Sequence, residues 1–254
     1  GLVHFDEPIA QLFSQGMICK DGAKMSKSKG NAVPPDELIS RYGADTERLY
    51  TLFIGPPERD AEWSDAAVEG AHRFLNRLWD LVLEWPYDAR RPEPDSPGEL
   101  PEEAEALRRK THQTIRKVGR DMEAFHYNTA VAACMELVNA VRSFTEERAP
   151  DDAQPAERRV VEEACRNLTL LLAPMVPHLS EEIWERMGGQ GSVFEQRWPS
   201  FDPEAAAEDV VTVAVQVGGK LRGEVEVPRG ASEAEVVQAA RDNEKVARHL
   251  EDRE

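Results

Sequence analysis

The sequence predicts a mostly α-helical protein, in which an antiparallel helical bundle follows a short mixed α/β start and precedes a small α+β tail. Three observations predict this fold class. Apolar residues recur three or four positions apart through most of the middle of the chain, as amphipathic helices require. Short polar turns join these stretches, which is typical of antiparallel bundles. Beyond residue 209 the apolar period changes to two, which indicates strands.

The first 57 residues combine short β-type runs with two helix signals. Residues 1–33 mix such runs with glycines and are too short to form a domain alone. Proline and acidic residues at positions 34–37 open a first helix, and Gly43 ends it. A second helix is predicted over residues 45–53, because a glycine and two prolines follow at residues 55–57.

The middle of the chain is predicted to form the bundle. Ser64 is a good N-cap for a long helix that ends near Trp85. Prolines between residues 86 and 98 predict an exposed linker, because proline cannot continue a helix. Three more helical stretches follow: apolar positions from Leu107 to Phe125 mark the first, Asn128 caps the second, and apolar positions from Val160 to Leu171 mark the third. A shorter helix is predicted over residues 179–187, and two glycines end it.

The last part of the chain is predicted to contain a hairpin and two short helices. Valines alternate with polar residues on both sides of two adjacent glycines. A strict two-residue turn places the valines opposite charged residues. A three-residue loop or a bulge therefore gives the better register, with Val213 opposite Val225 and Val217 opposite Leu221. The two helices are predicted over residues 232–240 and 244–250, and a further strand is expected after residue 254.

Composition and charge exclude several classes of protein. The formal net charge of the 254 residues is −17, a field that repels polyanions, so sequence-independent coating of DNA or RNA is excluded. The negative charge has a second explanation of equal weight: acid-rich protein surfaces also suit a cytoplasm with a high salt concentration. Three widely spaced cysteines suit neither a disulfide framework nor a zinc site, and they are expected to be core residues in a reducing cytosol. No apolar stretch reaches the roughly 18 residues of a membrane span, so no membrane contact is expected.

The segment most informative about function is residues 24–31, Lys-Met-Ser-Lys-Ser-Lys-Gly-Asn, which we call the lysine loop. Four of the eight lysines in the chain lie between Lys20 and Lys29, and Gly22 and Gly30 bracket them. Such a segment can move, and because its other residues are small, its ammonium groups are accessible to a ligand. When a nucleophile attacks the α-phosphorus of ATP, charge builds on the departing pyrophosphate, and a lysine stabilises that charge. On composition alone, a solvated loop is the alternative.

Further strings around the lysine loop carry a resemblance to a known family. They lie at residues 35–37, 42–46, 56–58, 62–65, 73–77, 173–179, 181–184 and 215–222. In this order they resemble class I aminoacyl-tRNA synthetases. Glu-Trp-Ser-Asp at 62–65 and Arg-Phe-Leu-Asn-Arg at 73–77 resemble the bacterial leucyl-tRNA synthetases in particular, whereas the methionyl, valyl and isoleucyl relatives share the lysine loop. Gly218 stands where the family usually has asparagine, which removes a side chain near the hairpin tip.

The resemblance implies a ligase that activates leucine with ATP and transfers it to tRNA(Leu). By resemblance, Lys24 and Lys27 match the catalytic loop lysines, and Lys27 is the one that contacts ATP. Ser26 and Ser28 are expected to bond locally or to phosphate, and Met25 to pack near adenine. Mg²⁺ is expected to come with ATP and to be bound outside these residues. The chain lacks the family's His-x-Gly-His signature, nucleotide-binding sheet, leucine pocket and editing insertion, so it is expected to be inactive alone.

Three groups of cations are candidate tRNA contacts. They are Arg73 and Arg77, then Arg116, Lys117 and Arg120, and finally Lys220 and Arg222. Arg73 and Arg77 lie one helical turn apart, and the alternative to a tRNA contact is that they form ion pairs with acids such as Glu69 and Asp80. The second group shares one helix, whose solvated face is the alternative. The third lies at the hairpin tip and resembles the family's C-terminal module that touches the tRNA elbow. His178 is expected to be a hydrogen-bonded core or helix-entry residue.

The resemblance also implies a division into three parts. Residues 1–57 are the C-terminal end of a catalytic domain, residues 58–200 a helical bundle of the anticodon-binding type, and residues 209–254 a truncated ββα domain that contacts tRNA. The chain is then a C-terminal fragment of a cytoplasmic enzyme whose partners are ATP, leucine and tRNA(Leu). A non-catalytic helical RNA- or protein-binding module is an alternative. So is the small subunit of a split synthetase, although the absence of an initial Met argues mildly against it.

Overall fold

The computed structural model describes residues 2–9, 11–85, 100–146, 148, 150, 152–208 and 210–251. The chain forms two compact units, Gly1–Ala206 and Ala207–Glu254. Helices dominate the first unit, which confirms the mostly helical fold class that the sequence predicts. The predicted division at residue 57 lies inside the first unit and stays a prediction. The linker predicted between residues 86 and 98 lies outside the described residues.

A small sheet lies near the start of the first unit. Strand β1 (Ile18–Lys20) pairs antiparallel with β2 (Ala23–Lys24) and parallel with β3 (Ala61–Glu62). Asp21 and Gly22 form the turn between β1 and β2 with φ angles of 57° and 69°, the left-handed conformation that two-residue hairpin turns require. The sheet therefore places β1 in the middle, beside residues 61 and 62, and β2, which leads into the lysine loop, at the other edge.

Two short helices follow the lysine loop, as the sequence predicts. Helix α1 (Pro35–Tyr42) ends at Gly43, and α2 (Ala44–Phe53) begins directly after it. Asp45 in α2 is buried, and its carboxylate accepts the backbone N–H of Leu179 at 2.6 Å and lies 2.8 Å from Nδ1 of His178. Arg48 donates to the carbonyl of Pro174 at 3.0 Å. These bonds fasten α2 to residues 174–179, where His178 stands at the entry of a later helix.

The long helix α3 (Asp65–Glu84) begins where Ser64 caps it, as predicted. The Ser64 hydroxyl accepts the N–H of Ala67 at 3.3 Å, and the Ser64 N–H donates to the Tyr50 hydroxyl at 2.8 Å. Burial raises the pKa of the Tyr50 hydroxyl. The buried face of α3 consists of Val68, Ala71, Phe74, Leu75, Leu78, Leu81 and Val82.

The bundle continues with α4 (Glu102–Glu123), α5 (Tyr127–Glu146), α6 (Pro155–Leu172) and α7 (Pro177–Arg186). Large apolar side chains from these helices are fully buried, among them Ile115, Leu137, Leu168 and Ile183. Burying one such side chain contributes about 1.5–3 kcal/mol relative to leaving it in water. Hydrophobic burial is therefore the main source of stability in this part of the unit.

Three details of the bundle differ from the prediction. Phe125, predicted on the apolar stripe of α4, lies outside that helix with a φ of 61°, because the chain reverses direction within three residues there. Asn128 does not cap α5, since the helix begins at Tyr127 and the carbonyl of His126 already accepts a helical N–H. Helix α7 begins at Pro177 rather than at residue 179, because proline suits the first helical position.

A polar cluster holds the segment after α7 against the bundle. Nδ1 of the buried His112 accepts the N–H of Asp202 at 3.1 Å, so Nε2 carries the proton and donates to Glu163 at 3.0 Å. Arg108 lies 3.4 Å from Glu163 and 3.2 Å from Asp202. A hydrogen bond from the N–H of Glu204 is the main cause of the lowered pKa of Asp202. The cluster fixes residues near 202 to α4 and α6.

The second unit contains the predicted hairpin and helices. Strands β4 (Val210–Val217) and β5 (Lys220–Pro228) are antiparallel, and α8 (Glu233–Asp242) and α9 (Glu244–Glu251) follow. The N-cap of α8 is Ser232, whose N–H donates to Glu235 at 2.7 Å and thereby lowers the pKa of that carboxyl. Both helices of this unit are therefore confirmed.

The hairpin register is partly as predicted. Val213 pairs with Val225, and a bulge at Arg222 in β5 makes this pairing possible. The predicted pairing of Val217 with Leu221 is wrong, because Val217 lies opposite Lys220 across a two-residue glycine turn. Both turn glycines have positive φ angles, 62° and 80°, which this tight turn requires. The bulge therefore restores the valine pairing that the tight turn would otherwise shift.

Candidate functional site

The lysine loop leaves the sheet at the end of β2 and folds into a compact turn. Ser26 has an extended backbone and caps a 3₁₀ turn over Lys27–Lys29, where its hydroxyl accepts the N–H of Lys29 at 3.3 Å. Gly30 ends the turn with a φ of 68°, and its N–H donates to the Lys27 carbonyl at 3.3 Å. The Ser26 and Ser28 hydroxyls lie 3.2 Å apart. Local hydrogen bonds therefore define the shape of the turn.

The side-chain amide of Asn31 connects the end of the lysine loop to its beginning. Its Oδ1 accepts the backbone N–H of Ser26 at 2.9 Å. Its Nδ2 donates toward the carbonyls of Lys20 at 3.1 Å, Ala23 at 3.3 Å and Lys24 at 3.4 Å. The phosphate-binding chemistry of the lysine loop does not predict a role for Asn31. The sequence feature that points to one is its position directly after Gly30, because asparagine side chains readily form hydrogen bonds with backbone groups in turns.

The β1–β2 hairpin, which precedes the lysine loop, contacts the residues at the start of α3. The Glu62 carboxylate accepts the N–H of Gly22 at 3.1 Å. The Lys20 ammonium lies 3.7 Å from the carboxylate of Asp65, which also accepts the indole N–H of Trp63 at 2.9 Å. Lys20 therefore has an acidic partner at the base of the loop.

The lysines of the loop itself are exposed. Among the residues that the structure describes, Lys24, Lys27 and Lys29 have no ion-pair partner. Met25 and Ser26 are half-buried, and Ser28 is exposed. The structure thus places all the predicted ATP-contacting residues on one loop. Three unpaired ammonium groups and a pair of hydroxyls suit an anion with many oxygens, such as a polyphosphate.

The same loop does not suit a divalent cation. Residues 24–31 contain no carboxylate, whereas Mg²⁺ prefers carboxylate and phosphate oxygens. In the described parts of the chain, no three histidine, cysteine or acidic side chains come together as a metal site would require. The residues present therefore do not fit a magnesium ion that accompanies a nucleotide.

The two arginine candidates of α3 lie on its exposed face. Glu69, the alternative partner of Arg73, instead accepts the Tyr42 hydroxyl at 3.1 Å and lies 3.8 Å from Arg41. Burial raises the pKa of Tyr42, and the hydrogen bond to Glu69 adds to this effect. Within the described ranges, neither Arg73 nor Arg77 makes an ion pair. Their forked donors are therefore available to phosphate oxygens.

The cations of α4 have different surroundings. Lys117 lies 2.7 Å from Asp121, one helical turn further along. The Arg116 guanidinium lies 5.9 Å from the centre of the Phe201 ring, and Arg120 is exposed. Arg116 and Lys117 thus have protein contacts that the α3 arginines lack.

The hairpin of the second unit carries the last pair of candidate cations. Lys220 follows the glycine turn directly and is exposed, whereas Arg222 is half-buried. The buried Nε of Arg222 has no hydrogen-bond acceptor among the described residues. Among the described residues, Lys220 has no ion-pair partner, so the tip of the hairpin presents at least one available cation.

Within the described helices, none combines the length and the apolar character that crossing a bilayer requires. Two known families match the sequence. The family described as the anticodon-binding domain of tRNA ligase matches residues 104–238, just over half of the chain. The family described as tRNA synthetases class I (I, L, M and V) matches residues 3–64, which include the lysine loop.

Curated relatives cover nearly the whole chain. The leucine–tRNA ligase of Pseudothermotoga lettingae is 47% identical over 257 aligned positions, which cover 99% of this chain and 30% of the relative. The leucine–tRNA ligase of Geotalea uraniireducens is 48% identical over 252 positions, again 99% of this chain and 30% of the relative. The chain therefore spans about 30% of the length of these relatives.

Solved structures resemble the chain as well. A LeuRS–tRNA–LeuAMS ternary complex from Agrobacterium radiobacter K84 has a TM-score of 0.78 and 28% identity over 98% of this chain and 31% of that one. The methionyl-tRNA synthetase of Mycobacterium tuberculosis with methionyl-adenylate has a TM-score of 0.56 and 24% identity over 68% of this chain and 37% of its own, which shows a shared fold. The resemblance to leucyl-tRNA synthetases is thereby confirmed: this chain belongs to the tRNA ligase family that carries the anticodon-binding domain, and within it the chain matches the leucine-type members.

Proposed function

We propose that this chain is the part of a leucine–tRNA ligase that supplies the lysine loop and a helical tRNA-binding region. The enzyme activates leucine with ATP in the cytoplasm and transfers it to tRNA(Leu), while the leucine pocket and the nucleotide-binding sheet lie outside this chain. The observation that carries the proposal is the lysine loop itself, on which Lys24 and Lys27 are exposed and have no ion-pair partner in the described part of the chain. The leucine–tRNA ligases among its relatives support the choice of amino acid.

In the proposed first step, the leucine carboxylate attacks the α-phosphorus of ATP. A new P–O bond joins leucine to AMP, the bond to the bridging oxygen breaks, and the electron pair leaves with pyrophosphate. Lys27, with Lys24 from the same loop, stabilises the growing negative charge, because an ammonium group needs no proton transfer to do so. Ser26 and Ser28 donate hydrogen bonds to phosphate oxygens, and Met25 packs near adenine. Mg²⁺ is bound elsewhere in the enzyme.

The helical region is proposed to bind tRNA through its phosphates. Arg73 and Arg77 are the strongest candidates, because both are exposed and have forked donors one turn apart. Arg116, Lys117, Lys220 and Arg222 are the further candidates. The ternary complex of the Agrobacterium relative contains tRNA, which supports this part of the proposal. Such contacts read the shape of the tRNA rather than its base sequence.

The test is leucine-dependent exchange between ATP and pyrophosphate, measured with the complete polypeptide that contains this chain. Each amino acid is supplied in turn, and only leucine is expected to support rapid exchange. The chain of 254 residues alone is expected to give none, because it lacks the leucine pocket. Exchange by the isolated chain, or an absence of leucine-dependent exchange in the complete polypeptide, would contradict the proposal.

A further inference from the structure

We propose that Asn31 is a positioning residue, which determines where the Lys27 ammonium stands during leucine activation. This inference rests on the proposed function of the lysine loop. It concerns a residue that contacts neither ATP nor leucine in the proposed reaction, and that acts only through the backbone of the loop.

The hydrogen bonds of Asn31 fix the orientation of its amide. Oδ1 must face the N–H of Ser26, because the other nearby backbone groups are carbonyls and can only accept. The two hydrogens of Nδ2 then serve the carbonyls of Lys20, Ala23 and Lys24, all between 3.1 and 3.4 Å away. One side chain thus joins the last strand residues before the loop to the first residue of the turn.

The place of the turn depends on this amide, although its shape does not. The bonds from Lys29 to Ser26 and from Gly30 to Lys27 stay within the turn. Among the described residues, residues 26–30 are connected to the β1–β2 hairpin by hydrogen bonds only through the side chain of Asn31, which bonds to both segments. Loss of the amide therefore leaves the turn folded but free to pivot on the hairpin. A misplacement of about 1 Å can lower a catalytic rate about 100-fold.

Two substitutions in the complete enzyme test the side chain. Asn31→Ala removes both halves of the amide. Asn31→Asp keeps an acceptor for Ser26 but turns an oxygen toward the three carbonyls. Both are expected to lower kcat of leucine-dependent ATP–pyrophosphate exchange about 10- to 100-fold and to leave KM for leucine unchanged. Asn139→Ala, which replaces an exposed asparagine on α5, is the matched control and is expected to leave the exchange rate unchanged.

A double-mutant cycle with Lys27 separates positioning from a general structural role. If Asn31 acts through Lys27, Asn31→Ala lowers the exchange rate by less than about three-fold in a Lys27→Ala background, because the positioned group is already absent. An equal loss in both backgrounds, no loss in either, or a fall of more than about 5 °C in the unfolding midpoint would overturn the inference. A Lys27→Ala enzyme with undiminished exchange would instead refute the proposed function of the loop.

Discussion

The lysine loop and the helical bundle become ordered by different physical means. In the bundle, side chains such as Leu137 and Leu168 are fully buried, so hydrophobic burial holds the helices together. In the turn Lys27–Lys29 no residue is buried; the Ser26 hydroxyl accepts a backbone N–H within the turn, and the Asn31 amide holds the turn on the hairpin. A segment can therefore have one conformation while its cations remain available to a ligand, provided that short polar side chains supply the hydrogen bonds.

The largest expected effect on stability lies in the bundle. Leu137→Ala removes a fully buried side chain of α5 and is expected to lower the free energy of unfolding by about 2–5 kcal/mol, because a cavity remains. Leu83→Ala on α3 is the control, since that side chain is 51% exposed, and a change within about 0.5 kcal/mol is expected. Urea denaturation measures both. Similar losses for the two variants would contradict the burial account.

A second contrast concerns cysteines. Cys19 in β1, below the lysine loop, is half-buried, whereas Cys134 in α5 is fully buried. A thiol reagent is expected to label Cys19 in the native protein at pH 8 and to leave Cys134 unlabelled, as peptide mass spectrometry of the product can show. Labelling of both at similar rates would mean that the bundle opens as readily as the loop region.

The buried thiol of Cys134 is expected to make the free energy of unfolding depend on pH. Burial raises the pKa of Cys134 from 9.0 to about 12. Because the folded pKa is the higher one, this contribution to stability is complete below pH 9 and is lost as the pH rises from 9 toward 12. The expected loss is about 1.4 kcal/mol for each pH unit in that window. Urea denaturation at pH 8 and pH 10 measures it, and Cys134→Ala is expected to give a shallower dependence.

A smaller effect is expected for tRNA binding by the complete enzyme. Arg73→Ala and Arg77→Ala are each expected to weaken the affinity for tRNA about three- to ten-fold and to reduce the salt dependence of binding by about one ion. Lys117→Ala is the control on α4, because Asp121 already pairs with that lysine at 2.7 Å, and a smaller change is expected. Filter binding at several salt concentrations gives both quantities. Equal losses of tRNA affinity for all three variants would contradict the expectation that unpaired cations contribute more to tRNA binding than a paired one.

Local signals in the sequence are sufficient to predict most of the fold. Gly43 and Ser64 mark helix ends because their preferences depend only on neighbouring residues. Phe125 is mispredicted because the reversal of the chain between two long helices overrides its apolar character. The pairing of Val217 is mispredicted because a bulge in the partner strand β5, rather than a longer loop, adjusts the register.

The candidate site is predictable to a similar degree. The residue types and order of the lysine loop suffice to predict Lys24 and Lys27 as exposed cations on one loop. The role of Asn31 is not predictable in this way, because the carbonyls of Lys20 and Ala23 come within its reach only after the hairpin has folded. Contacts that depend on two strands meeting cannot be inferred from the spacing of residues along the chain.

The most direct test of the contrast between loop and bundle is one pair of lysine substitutions in the complete enzyme. Lys27→Ala is expected to slow leucine-dependent ATP–pyrophosphate exchange about 100-fold while changing the free energy of unfolding by less than about 0.5 kcal/mol. Lys110→Ala on α4, where the lysine lies 2.7 Å from Glu136, is expected to leave exchange within about two-fold of the unsubstituted rate. Undiminished exchange in the Lys27→Ala enzyme would contradict the proposed role of Lys27 in leucine activation.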